Sequence, residues 1–65
     1  MIDKYVGQIV EIIYLDRNGH ISQRKIEVWS IKDSSVKAYC LENRAPRIFM
    51  IENILAIIPT RKRVG

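Results

Sequence analysis

Apolar and polar positions alternate along most of this chain, and the alternation breaks where turn-forming residues cluster. Gln8 to Leu15 is rich in β-branched residues and predicts a strand. Asp16-Arg-Asn-Gly19 reads as a turn, and Ile21 to Ile31, containing Val28 and Trp29, as a second strand. After the turn Lys32-Asp-Ser-Ser35, Val36 to Leu41 and Arg47 to Ile51 form two further runs, joined by Leu41-Glu-Asn-Arg-Ala-Pro46. Glu52-Asn53 breaks the pattern before Leu55 to Ile58. Five short strands predict a mostly β fold, a small five-stranded barrel. Ile2 to Val6, with Asp3 near its start and Gly7 after its end, reads as one or two helical turns capping an open end.

The first hairpin admits two registers, and a slip of one residue exchanges its faces. A two-residue Asn18-Gly19 turn places Glu11 beside Ile9, Ile13, Ile26 and Val28. A three-residue loop with Gly19 in a left-handed bulge position gathers Val10, Ile12 and Tyr14 with Ile26 and Val28 instead. The second register builds a core without a carboxylate, and Asp16 and Asn18 suit the type I turn that precedes such a bulge. It also turns Arg24 inward, across from Ile12.

Sixty-five residues make one domain, with a packed unit at about 7–59 and a basic tail at 60–65. A chain of this size buries only about 60% of its unfolded surface, so any inward charge matters to stability. The 48% hydrophobic and 28% charged content is that of a globular domain rather than a disordered one. The lone Cys40 excludes an internal disulfide and any cysteine-rich zinc site, and reads as a small core residue in a reducing cytoplasm. An acid follows Met1 closely where a signal peptide is basic, and no apolar run reaches the roughly 18 residues of a membrane span, so neither export nor a membrane location is expected. Of the eleven positive charges, Arg61, Lys62 and Arg63 supply three, leaving eight against seven acids. The tail is therefore the candidate nucleic-acid-binding segment, through salt-sensitive attraction to phosphate.

The candidate chemistry lies with the arginines. Arg47 opens its run in phase with Phe49 and Ile51, so Arg24 and Arg47 both take core-facing positions near strand ends. An unpaired buried guanidinium costs several kcal/mol. Each must be paired with an acid such as Glu42 or Glu52, solvated at a mouth, or awaiting an anion. Guanidinium forks match phosphate and carboxylate, and Tyr14 and Tyr39 offer hydroxyls or a ring for stacking. Trp29, beside Val28 and Ile31, reads as packed. His20 has no second histidine and no Cys pair at ligand spacing, so no metal is expected. Ser22, Ser30, Ser34 and Ser35 lack a paired base and no phosphate-cradling glycine loop exists, so neither catalysis nor a cofactor is expected.

The stretch Val36-Lys-Ala-Tyr-Cys40 through Arg47-Ile-Phe-Met-Ile-Glu-Asn-Ile54 resembles the second half of a WYL domain, the small SH3/Sm-like barrel of many bacterial transcription regulators. Tyr14, Gly19 and Arg24 look like that family's opening hairpin, and the resemblance runs from about Val10 to Ile58. Three departures stand out: Ser34-Ser35-Val36 replaces the naming Trp-Tyr-Leu, Val28 replaces a proline, and Asn53 replaces the arginine of Asp-Arg-Ile. The resemblance implies that Arg24, Tyr39 and Arg47 line a positively charged pocket for nucleotides, nucleic-acid ends or other anions. It further implies a module that works with a DNA-reading partner, as an isolated sensor, or within a longer regulator. The competing expectation is a small structural or adaptor barrel that binds protein or forms a homo-oligomer through an open strand edge, with Ile48 and Met50 facing outward.

Overall fold

The computed structural model describes residues 2–60. Its strands are β1 (Ile9–Leu15), β2 (Ile21–Lys32), β3 (Ser35–Cys40), β4 (Ala45–Met50) and β5 (Ile54–Pro59). Two 3-10 turns complete it, η1 (Ile2–Tyr5) at the start and η2 (Ile51–Asn53) between β4 and β5. All five strands form one antiparallel sheet in the order β4-β3-β2-β1-β5.

Turn chemistry sets the register of the first hairpin. Gly19 N–H donates to the Asp16 carbonyl at 3.0 Å and Asp16 N–H to the His20 carbonyl at 2.9 Å, leaving a three-residue loop. Gly19 carries φ +83°, a conformation that costs any residue with a Cβ about 1–2 kcal/mol. Val10 therefore pairs with Ile26, and Ile12 with Arg24. This is the register that keeps Glu11 out of the core.

β2 is long enough to serve two partners. Its residues 21–27 pair with β1 and its residues 26–32 with β3, and the second ladder shifts between Val28 and Ser30. At that bulge Trp29 and Ser30 together oppose Lys37, which bends the strand. The bend shows in a contact between distant strands: the Tyr14 and Phe49 rings meet edge-on with centroids 4.9 Å apart. Three inter-strand spacings in a flat sheet would separate β1 from β4 by roughly 14 Å. The sheet is therefore folded over on itself, enclosing Val10, Ile12, Ile26, Val28, Val36, Ala38 and Phe49.

The mostly β, five-stranded fold is as expected, and its sheet is not closed, because β4 and β5 remain its edges. The η2 turn carries the chain around a corner, and the final N–H of β4, that of Met50, goes to the Tyr14 hydroxyl. The predicted N-terminal turn is present as η1. Its Ile2 enters the core, while Gly7 N–H donates to the Val28 carbonyl at 2.7 Å. Cys40 is buried, as a small core residue would be.

Candidate functional site

The four residues expected to form a ligand pocket do not converge. Arg24 lies on the core side of β2, half-buried, across from Ile12. Its Nε donates to the Ser22 hydroxyl at 3.2 Å, which uses one of the five N–H donors of the guanidinium. Arg47 pairs with Ala38, so it keeps the core-side phase, yet it is exposed because β4 is an edge. Ala38 in turn pairs with Val28, four positions beyond Arg24 on β2. That offset amounts to roughly 13 Å along the strand. Among the described residues, neither arginine forms an ion pair with a carboxylate.

The two tyrosines depart further from the expected pocket. Tyr14 faces inward and its hydroxyl and ring are engaged by Met50 and Phe49, which makes it a tie across the core. Tyr39 lies between the buried Ala38 and Cys40, so its side chain is on the opposite face of the sheet from Arg24. The alternation of small apolar residues around Tyr39 already carried that signal. Arg61, Lys62 and Arg63 lie outside the described residues.

Trp29 is a correction to the packed reading. Following the inward Val28, it points outward, where it is 41% exposed and stacks on Tyr39 with ring centroids 5.7 Å apart and planes 26° from parallel. Pro46 pairs with Tyr39 and Ile48 with Lys37, so an aromatic and aliphatic strip runs across the outer face of β2, β3 and β4. The facing of Trp29 was legible from strand parity, since the register that puts Val28 inside puts the next residue outside, whereas the bulge that adds Ser30 to the same face was not.

Open clefts lie elsewhere on the surface of the described residues. One of about 300 Å³ lies between η1 and β5, lined by Lys4, Tyr5 and residues 54–57. Another, about 560 Å³, is bordered by Ile9, Lys25, Glu27, Leu41 and Thr60. Neither includes Arg24 or Arg47.

The His20 N–H foremost, and then that of Asn18, hold the Asp16 carboxyl below the usual carboxylate range, with the Arg24 charge adding to the effect. No group of three or more metal-ligating side chains occurs among the described residues. No helix among them is long and apolar enough to cross a membrane. The chain matches no family model, no curated protein and no solved structure.

Proposed function

We propose that this chain is a non-catalytic regulatory binding module of the WYL-like, SH3/Sm-type class, acting on an anionic ligand in cytoplasmic transcription regulation. The observation that carries the reading is Arg24: a half-buried guanidinium, held on the core side by one hydroxyl, with no carboxylate partner among the described residues. Such a group destabilises a thin-cored domain unless something compensates it. An incoming phosphate or carboxylate supplies forked acceptors for the remaining N–H groups. The barrel assignment is supported by a β2 shared between two ladders and by a 3-10 turn joining the last two strands.

The offset between Arg24 and Arg47 favours an extended anion, a nucleotide or a short single-stranded oligonucleotide, over a lone phosphate. Binding of a fluorescent oligonucleotide, measured by anisotropy against salt concentration, tests this. Arg24→Ala and Arg47→Ala should each weaken binding and flatten the salt dependence by about 0.7 per lost phosphate contact. No binding at low salt rejects the reading.

A second reading, an adaptor that acts through protein contacts or self-assembly, is favoured by Ile48 and Leu55. They are 62% and 52% exposed on the two edge strands. A salt-independent oligomer without anion affinity would establish it.

A further inference from the structure

We infer that the outer face carries a second binding site, independent of Arg24 and Arg47: a stacking platform for the bases of single-stranded nucleic acid, built by Trp29 and Tyr39 with Lys37. Alternation from the inward Val28 places Trp29 on the outer face, and the bulge sets Ser30 beside it there, so that both oppose Lys37. The indole stacks nearly parallel on Tyr39. Its far face remains open to solvent, since the residue is 41% exposed.

A large exposed ring with one face already supported presents a rigid apolar plane, and every nucleobase has a matching π face. Charge decides the occupant. Lys37 stands opposite Trp29, Lys32 lies beyond it at the end of β2, and neither β3 nor β4 contains a carboxylate. Glu27, opposite Tyr39, and Asp33, which follows Lys32 in the turn, are the acids bordering the platform. The cations therefore sit on the side of the indole away from Glu27. A chain of stacked bases on Trp29 would lead its phosphates past Lys37 and Lys32. A proline-rich peptide also fits aromatic strips, but it brings no negative charge for these lysines.

Trp29 is the chain's single tryptophan, so intrinsic fluorescence reports on this platform alone. The intact chain is titrated with a single-stranded thymidine oligonucleotide at low salt, with a proline-rich peptide as comparison. Expected is saturable quenching by the oligonucleotide and not by the peptide, with Lys37→Ala lowering both affinity and its salt dependence. By anisotropy in the Arg24→Ala chain, where the arginine site is weakened, Trp29→Ala should lose about tenfold in affinity while Trp29→Phe keeps most of it. Quenching should persist in the Arg24→Ala chain, which separates this site from the arginine reading. The inference is overturned if, in that background, the oligonucleotide binds Trp29→Ala as tightly as the chain that keeps Trp29, if quenching disappears with Arg24→Ala, or if only the peptide quenches.

Discussion

The backbone N–H of Met50 donates a 3.0 Å hydrogen bond to the hydroxyl of Tyr14, a residue 36 positions away. The Tyr14 ring meanwhile lies edge-on to Phe49, next to Met50 in the chain. One side chain thus performs the work of a missing ladder, joining β1 to β4 where the sheet has no strand pairing between them. Tyr14→Phe should remove only the hydrogen bond and cost about 1 kcal/mol. Tyr14→Ala also removes the ring contact and should approach the roughly 3 kcal/mol typical of aromatic truncation. Urea unfolding of both variants measures the difference. Equal losses would assign the whole effect to the tie and none to the ring.

Gly19 should tolerate no ordinary side chain, for a conformational reason alone. A Cβ there meets nothing within 4 Å, yet φ is +83°. Gly19→Ala should therefore lower stability by about 1–2 kcal/mol without any clash, and Gly19→Asn by less, because asparagine adopts this region more readily. Equilibrium unfolding checks both, and an unchanged midpoint for alanine would mean that the turn relaxes into another type at no cost.

That glycine also shows why part of the fold was legible in the sequence. Asp16, Asn18 and Gly19 specify a turn, the turn specifies the register, and the register puts Val10, Ile12 and Ile26 inside and Arg24 beside them. Each step is local. The tie from Tyr14 to Met50 is not, since it follows from the sheet folding over on itself. Arg47 illustrates the same limit: its phase was readable, but its exposure follows from β4 being an edge, which only the strand order reveals. Tyr39 is a different case, because the buried Ala38 and Cys40 on either side already dictate its outward side chain.

Acid should loosen the first hairpin through Asp16. Its carboxylate accepts from the N–H groups of His20 and Asn18, both at 2.9 Å, and this lowers its folded pKa below the ordinary value of 3.8. A depressed carboxylate pKa contributes stability that is complete above the unfolded value and is lost as pH falls through the folded one. Asp16→Asn lacks the charge at every pH. The unfolding midpoints of parent and variant should therefore differ near neutrality and draw together in acid. A constant gap would show that the charge is immaterial and that only the shape of the side chain matters.

Arg24 should exchange function for stability. Replacing it with methionine keeps a long stem against Ile12 and removes the desolvation of an unpaired guanidinium. A gain of about 1 kcal/mol would raise the Tm of a domain this size by roughly 4–8 °C. Anion binding should fall in the same variant. Thermal unfolding in parallel with anisotropy measures both quantities. A variant that loses stability would mean that Arg24 is held by interactions worth more than its burial costs, and the case for a waiting ligand would weaken.

The two edges of the sheet are protected unequally, which bears on the adaptor reading. β4 contains Pro46, which lacks an N–H, and the charged Arg47, both of which discourage pairing with another strand. β5 reads Ile-Leu-Ala-Ile-Ile-Pro, with no charge and its proline only at the last position. If a second chain adds to this molecule, the exposed length of β5 is where it should do so. Leu55→Lys places a charge on that strand at a site 52% exposed, where a substitution alters folding stability by only about 0.5 kcal/mol. Sedimentation across a range of concentrations should then show an associating parent chain and a monomeric variant, with oligonucleotide affinity unchanged. A parent chain that is monomeric throughout would mean that β5 stays unpaired without consequence, leaving the half-buried guanidinium of Arg24 as the stronger ground for assigning this domain a role.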